Sequence, residues 1–345
     1  MKKHISVFLI LIAISGFLIW RELPAPAPMR ISSCNSSIAA PVNSQGVWFW
    51  IENPRSLGSR LMKAGETESK PAVVAPGISE FAITDSKLAW IQKTGIVWQL
   101  VSSKLDGSEP HVIYSGEREP VGLHYSQKRL YWLLNPLPKK NEFDSFPPLA
   151  GSLEVQSVNE NGEGKPIALT SLKETQGLQF IGINLIYAFV SVYRPSQYGS
   201  TVIYRISVLD SATQRIVGET GKQHAALTKE SLFWTAPSPE SSTRGTTNCV
   251  RYIPVQGAGA NSTKPANLTD WLPAGGKLTL SSSGMMYIDG GAEPKLWILN
   301  DRKELPVAVK TPLNFDVKAV SGNDILLQNS RPDGSNSALF RTRMP

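Results

Sequence analysis

An all-β fold, a β-propeller of repeated four-stranded blades, is the architecture that the sequence predicts, and three observations support it. A short phrase recurs in which a polar turn precedes Leu or an equivalent residue and then an aromatic residue inside an apolar strand. The 27 glycines and 25 prolines fall between the apolar runs, as turn residues do between short strands. Beyond residue 29, no stretch of a dozen residues has convincing helical periodicity.

The recurring phrase has a step that is typical of a propeller blade. Copies read SKLAWI at Ser86–Ile91 and KRLYWLL at Lys128–Leu134. The copies are roughly 40 to 55 residues apart, which is the period of blade-sized repeats. One residue of each copy serves as a marker, giving the series Trp48, Trp90, Trp132, Tyr187, Trp234, Tyr287 and Leu326.

The second repeat shows the predicted unit most clearly. Its four strands read FAIT, LAWIQ, IVWQLVSS and PHVIYSG, and turns rich in Asp, Ser and Gly separate them. Four antiparallel strands within about 40 residues form one blade. The other repeats follow the same order, and their aromatic residues are expected to fill the space between blades.

Counting second strands predicts seven blades, with six as the alternative if a weak terminal copy is not a full blade. The last unit supplies FDVKAV, ILLQNS and ALFRTR and is one strand short. A strand from Met29 to Cys34 is expected to fill the vacancy. Such closure joins the two chain ends and removes an open sheet edge.

The N-terminal segment 1–21 predicts a membrane anchor or a signal peptide. Residues 4–20 are apolar and uncharged, and Lys2 and Lys3 precede them, so the N-terminus is expected in the cytoplasm and the rest across the membrane. Small residues before Pro28 resemble a cleavage site, but proline after it disfavours processing. An uncleaved single-pass anchor is therefore favoured, and secretion after cleavage is the alternative.

The remaining chain divides into a linker and one domain. Residues 22–28 form the linker, in which proline and alanine alternate from Pro24 to Pro28 and favour an extended spacer, and residues 29–345 are expected to form the propeller. The anchor places this domain in the periplasm or outside the cell, and it is expected to be monomeric.

Charge and cysteine content limit the function classes. The net charge of +7 is spread without a basic stripe, so nucleic acid is not an expected partner, whereas an anionic cell-envelope polymer or a protein is. The four histidines and two cysteines form no cluster, so neither a metal site nor a cofactor is predicted. Cys34 and Cys249 are candidates for one long-range disulfide in an exported domain, and the sequence leaves the paired and reduced states open.

The phrase SKLAWI followed by VSSKLDGSEPHVIYSG resembles the blades of the YWTD propellers of low-density-lipoprotein receptors and of bacterial TolB-like propellers. KRLYWLL is the closest single match, and the turn Asp333-Gly334-Ser335 repeats in the last unit. The aspartate of the receptor motif is missing at most copies. The resemblance implies the fold and a tendency to bind proteins or polymers, and it lends no catalytic residues.

The candidate binding residues lie in loops between second and third strands, which open on one face of a propeller. The longest loop, Asn135 to Gly151, combines two basic and two aromatic residues among prolines, and these are Lys139, Lys140, Phe143 and Phe146. Aromatic residues in a stiffened loop are typical interface anchors. The alternative is that both phenylalanines fold back over neighbouring blades.

A second candidate cluster consists of Tyr193, Arg194 and Tyr198 in the fourth unit. An arginine beside aromatic residues suits anionic or sugar-like ligands, and a packed pair at a blade edge is the alternative.

These observations predict a binding or scaffold module for a protein or an envelope polymer. The alternative is a propeller enzyme, a hydrolase or lyase with acidic or histidine residues in the central channel. The sequence contains no catalytic signature, so no catalytic residue is assigned.

Overall fold

The computed structural model describes most of the chain after residue 28. The described residues are 29–33, 38–54, 56, 58–65, 71–84, 86–126, 128–134, 137–138, 149–150, 153–163, 166–172, 178–184, 187–194, 200–207, 212–220, 224–228, 230–237, 247–255, 265–273, 277–281, 284–288, 296–299, 307–309, 315–321, 324–329 and 338–343. The predicted anchor and linker, residues 1–21 and 22–28, lie outside them. Within the described residues, no helix has the length and apolar character to cross a membrane.

The predicted all-β propeller is confirmed, since the described strands form seven four-stranded antiparallel sheets and one two-stranded ribbon. The chain starts with β1 (Met29–Ser33). The first blade contains β2 (Ile38–Ser44), β3 (Val47–Glu52), β4 (Arg60–Ala64) and β5 (Ala72–Pro76). The second contains β6 (Ile78–Ile83), β7 (Lys87–Thr94), β8 (Val97–Lys104) and β9 (His111–Gly116). The third contains β10 (Pro120–Ser126) and β11 (Arg129–Leu134), then the ribbon strands β12 (Leu137–Pro138) and β13 (Leu149–Ala150), then β14 (Leu153–Asn159) and β15 (Ile167–Leu172).

The remaining blades repeat the same order. The fourth contains β16 (Leu178–Asn184), β17 (Tyr187–Arg194), β18 (Ser200–Ser207) and β19 (Thr213–Thr220). The fifth contains β20 (Ala225–Leu227), β21 (Ser231–Pro237), β22 (Thr247–Pro254) and β23 (Ala266–Pro273). The sixth contains β24 (Lys277–Ser281), β25 (Gly284–Ile288), β26 (Leu296–Leu299) and β27 (Val307–Val309), and the seventh contains β28 (Phe315–Ser321), β29 (Asp324–Asn329) and β30 (Ala338–Arg343).

The seventh blade takes its fourth strand from the start of the chain. Strand β1 pairs with β30 in antiparallel register, with Met29 opposite Arg341 and Ser33 opposite Ala338. The predicted closing strand is therefore confirmed. The first strands of successive blades also contact one another, and β28 contacts β2, so the blades close into a ring.

The hydrophobic core lies between the blades, and the second strands of the first five blades contribute to it on both faces. Trp90 of β7 packs towards the first blade in the cluster that contains Phe49. Its neighbour Ile91 packs towards the third blade in the cluster that contains Trp132. Because both faces of the strand are covered, its sequence is apolar without a polar alternation.

Among the seven marker residues chosen from the sequence, Trp48 and Tyr187 do not occupy the position in their blades that Trp132 occupies in the third blade. Trp132 and Trp50 both lie opposite a bulge in the neighbouring first strand, so Trp50 occupies the repeated position in the first blade rather than Trp48. Tyr187 packs against the cluster shared with the fifth blade, whereas Val190 faces the third blade, as the position requires. A continuous apolar strand does not reveal which residues face which neighbour.

Candidate binding site

The two faces of the propeller differ in the connections they carry. Because the strands of a blade are antiparallel, connections between second and third strands lie on the same face as connections between blades. We call this the loop face. The opposite face, which we call the turn face, carries the turns between first and second and between third and fourth strands.

The predicted binding loop of the third blade leaves the loop face as a paired stem. Strands β12 and β13 pair with each other, so Leu137 lies opposite Ala150 and Pro138 lies opposite Leu149. The four predicted binding residues Lys139, Lys140, Phe143 and Phe146 lie outside the described residues. Their role in binding stays a prediction.

An arginine from the preceding connection holds the strand ends from which this loop emerges. Arg118, between β9 and β10, forms an ion pair of 2.5 Å with Glu154 and donates a hydrogen bond of 2.9 Å to the carbonyl of Leu134. The hydroxyl of Tyr114 donates to the carbonyl of Arg118 at 3.1 Å. Burial acts to raise the pKa of Glu154, but hydrogen bonds from Arg118 and Gln156 outweigh it and hold that pKa below its ordinary value.

A basic and apolar group lies beside this stem at the tip of the β7–β8 hairpin. The ammonium of Lys93 lies 5.1 Å from the centre of the Trp98 ring, and Ile96 at the turn is 80% exposed. Trp98 also packs against the cluster that contains Leu134, the last residue before the loop. We call Lys93, Ile96 and Trp98 the hairpin patch.

The hairpin that carries this patch is braced by a chain of side-chain hydrogen bonds. The indole of Trp90 donates to Gln92 at 2.9 Å, and Gln92 donates to Gln99 at 3.1 Å. The hydroxyl of Thr94 donates to the same oxygen of Gln99 at 3.3 Å. These bonds link β7 to β8 and hold the tip in one geometry.

The sequence analysis did not predict the hairpin patch, because only two residues connect β7 and β8 and the analysis considered the longer loops. Lys93 and Trp98 are opposite each other across the hairpin, and this pairing depends on the register of β7 with β8. An isoleucine at the tip of a tight turn was the signal that could have found it.

Two of the three fourth-blade candidates lie in a strand. The sequence analysis placed Tyr193 and Arg194 in a loop, but they belong to the end of β17, where they pair with Thr201 and Ser200. The predicted loop boundary was wrong because the antiparallel pairing with β18 continues to Arg194. Tyr198 lies outside the described residues, and the binding role of the three stays a prediction.

The predicted disulfide is not tested by the described residues. Cys249 is buried between the fourth and fifth blades, and Cys34 lies outside the described part of the chain.

At the centre of the ring, the first strands of the second and third blades carry two half-buried titratable residues, Glu80 and His124. Both carboxylate oxygens of Glu80 accept backbone hydrogen bonds from the third blade, from Gly122 at 2.7 Å and from Leu123 at 2.8 Å. Burial raises the pKa of Glu80, against the lowering effect of these bonds, and burial lowers the pKa of His124. Glu80 is therefore engaged as a link between blades.

No metal centre is formed by the residues that the structure describes. Among them, no three His, Cys, Asp or Glu side chains come together as a group that could hold an ion.

Comparison with solved structures finds propellers. No protein-family model matches the sequence, and none of the curated proteins matches it. The β-propeller domain of the trilobed protease from Pyrococcus furiosus has a TM-score of 0.61 and 10% identity, over 90% of this chain and 95% of that one. An acylaminoacyl peptidase from Pyrococcus horikoshii has a TM-score of 0.60 and 10% identity, over 87% of this chain and 52% of that one, so this chain spans about half of that peptidase. An oligogalacturonate lyase in complex with manganese has a TM-score of 0.57 and 12% identity, over 94% of this chain and 99% of that one.

These similarities show the propeller fold. The trilobed-protease propeller has an open velcro topology, whereas β1 pairs with β30 in this chain. TolB from Acinetobacter baumannii (TM-score 0.43, 14% identity, 84% of this chain and 78% of that one) is also similar, as is a nidogen and laminin complex (TM-score 0.40, 11% identity, 70% and 80%). The β-propeller fold that the sequence resemblance implies is confirmed by the protease, peptidase and lyase structures, whose TM-scores are 0.61, 0.60 and 0.57.

Proposed function

We propose that this protein is a binding module that recognises an acidic protein surface through the loop face at the junction of its second and third blades. The observation that carries the proposal is the hairpin patch, in which a cation, an indole and an 80% exposed isoleucine share one braced hairpin. Aromatic and apolar anchors beside a cation are typical of interface centres.

The neighbouring loop stem supports the same face. Arg118 fixes the strand ends at Leu134 and Glu154, so a partner would meet a rigid base rather than a freely moving one. Rigid anchors lose little conformational entropy on binding. Lys139 and Lys140 would add positive charge above this base, which favours acidic partners; an anionic envelope polymer is the other class of partner that this charge suits.

The proposal includes a location. Residues 4–20 form an apolar run preceded by two lysines, which supports a single membrane anchor with the propeller in the periplasm or outside the cell. The mass of the mature chain tests this, because a cleaved signal would remove the run. Protection of the propeller from protease in intact cells or spheroplasts tests its side of the membrane.

A second candidate function is hydrolysis or lyase chemistry in the central channel. It is favoured by the peptidase and lyase propellers among similar structures, although similarity of 10 to 12% identity shows the fold alone. Turnover of a peptide or uronate-oligomer panel by the full chain, absent from heat-unfolded protein, would favour this candidate over binding.

The binding proposal is tested by site-specific photocrosslinking in intact cells. A crosslinker placed at Ile96 is expected to capture one partner, and Lys93→Glu is expected to weaken capture because it reverses the charge of the patch. The matched control is a crosslinker at Val112, a 52% exposed residue on the outer strand of the same blade. Equal capture from positions 96 and 112, or capture unchanged by Lys93→Glu, would overturn the proposed face.

A further inference from the structure

The turn face has a pocket between the first and second blades, far along the strands from the hairpin patch. Its volume is about 420 Å³. The apolar part of its wall consists of Val47, Phe49, Ala64, Gly65, Ala72 and Leu105. Concave sites of this size with apolar walls are typical of small-molecule pockets.

The pocket continues the core between these two blades outwards. Phe49 is buried and belongs to the core cluster, while Val47 and Leu105 are half-buried and pack against the same cluster. At the rim, the first blade contributes the small residues Ala64, Gly65 and Ala72 beside Lys63. Among the described residues, the apolar floor is reached from solvent between the two blades.

The second blade covers the pocket with a fixed turn. Gly107 has a φ of +90°, and a Cβ at this position would lie 2.9 Å from Cγ1 of Val74 in the first blade. The turn is held by Asp106, whose carboxylate accepts hydrogen bonds from the backbone and hydroxyl of Ser108 at 2.9 and 2.6 Å. The turn that lines the pocket is therefore ordered and packs against β5, the outer strand of the first blade.

Among the described residues that line the pocket, Lys63 is the one cation. Lys63 donates a hydrogen bond of 3.0 Å to the backbone carbonyl of Asp106, which uses one of its three ammonium hydrogens. The hydrogen bonds from Ser108 lower the pKa of Asp106 and engage its carboxylate within its own turn. Lys63 is therefore the group best placed to meet an anionic end of a ligand.

We propose that this pocket binds a small amphiphilic carboxylate, with the apolar body against Phe49 and Leu105 and the carboxylate on Lys63. The inference is independent of the loop-face proposal, because the two sites lie on opposite faces. An apolar wall with one charged donor is the pattern that fixes the orientation of such a ligand.

Octanoate is a soluble probe for this pocket. Equilibrium dialysis with the full chain is expected to show saturable binding at one site, stronger than that of octanol or octylamine. Lys63→Gln is expected to weaken octanoate binding about tenfold, the effect of losing one charge-assisted hydrogen bond, and to leave octanol binding unchanged. Ala72→Phe, which fills the rim, is expected to abolish binding of both.

Matched controls keep the test decisive. Lys104→Gln removes a positive charge from the same face at an exposed residue that pairs with Glu109, and it is expected to leave octanoate binding unchanged. Thermal unfolding shows whether each variant folds, and Val47→Phe is a second filling variant if Ala72→Phe does not. The proposal is overturned if a folded filling variant, Ala72→Phe or Val47→Phe, still binds octanoate. It is also overturned if octylamine binds as well as octanoate, or if Lys104→Gln weakens octanoate binding as much as Lys63→Gln.

Discussion

Two neighbouring junctions between blades contain the same recurring strand phrase, but different residues pack where each junction reaches the faces of the propeller. Between the first and second blades, the described residues of the turn face leave a pocket beside small residues such as Ala72. Between the second and third blades, the equivalent turn meets His111 and Ile113, which lie against Gly162. At the loop face of the second junction, Arg118 also joins the blades through Glu154.

The comparison shows which part of a blade the repeat determines. The middle of each junction is set by the second strands, where Phe49 meets Trp90 in one case and Ile91 meets Trp132 in the other. The ends of each junction are set by residues outside the recurring phrase. The repeat therefore builds the scaffold, and the turns and outer strands decide where it opens.

The largest expected effect compares a core residue at each junction, Trp132 between the second and third blades and Phe49 between the first and second blades. Trp132→Ala should lower the free energy of unfolding by about 3–5 kcal/mol, because a fully buried indole leaves a cavity. Phe49→Ala should lie at the lower end of the same range, since its ring already borders the pocket and water reaches the vacated space. Urea unfolding of both variants measures the difference. A greater loss at Phe49 would mean that the junction between the first and second blades is the more tightly packed one.

The next effect compares the two turns that press on a neighbouring outer strand. Gly162 has a φ of +74° and a Cβ there would lie 2.9 Å from Cγ1 of Ile113, as well as against His111. Gly162→Ala should cost about 1–3 kcal/mol through backbone strain and this clash. Gly107→Ala should cost less, because Val74 is its only neighbour within 4 Å among the described residues.

A double variant sharpens this comparison. His111→Ala should recover part of the loss caused by Gly162→Ala, since it removes one of the two clashing side chains, and should have no effect on Gly107→Ala. Chemical unfolding of the three single and two double variants forms the test. Additive losses at positions 111 and 162 would show that the clash with His111 does not contribute to the cost.

The pH dependence tests the link between the second and third blades. The folded pKa of Glu80 is raised by burial, so the folded state binds its proton more strongly than the unfolded state does. The stabilising contribution of this proton is present at low pH and is lost as pH rises from the ordinary glutamate value through the raised value. Glu80→Gln should flatten the unfolding free energy over that window. An unchanged slope would show that another group is responsible.

The smallest effect concerns the hairpin patch. Lys93→Gln should change the free energy of unfolding by only about 0.5 kcal/mol, because its contact with Trp98 is at an exposed position. Thermal unfolding measures this change. A loss of several kcal/mol would identify the pair as part of the fold and would weaken its assignment to a partner.

Local sequence signals predicted much of the scaffold. Turn residues located the strands of the second blade, and the missing fourth strand of the last blade predicted the pairing of β1 with β30. The sequence analysis chose Trp48 as the marker of the first repeat, whereas the equivalent residue is Trp50. An apolar strand that is buried on both faces has no polar alternation to define its register.

The candidate sites were less accessible to sequence analysis, because they depend on contacts between distant segments. The pocket arises where Ala64 and Ala72 face Leu105 of another blade. The Lys93 and Trp98 pair requires the hairpin register, and Arg118 reaches Glu154 across a blade boundary. Leu105 and Trp98 lie in phrases that indicate strands and turns, but the sequence does not indicate their contacts with distant segments.

The pairing of β1 with β30 has a consequence for synthesis on the ribosome. Strand β1 emerges before the other described strands, whereas its partner at Ala338–Arg343 is translated after all of them. Until then, the backbone hydrogen-bonding groups of its edge are available to other chains. A translation product cut short before Ala338 loses its last strand and the only pairing of β1 in the described structure.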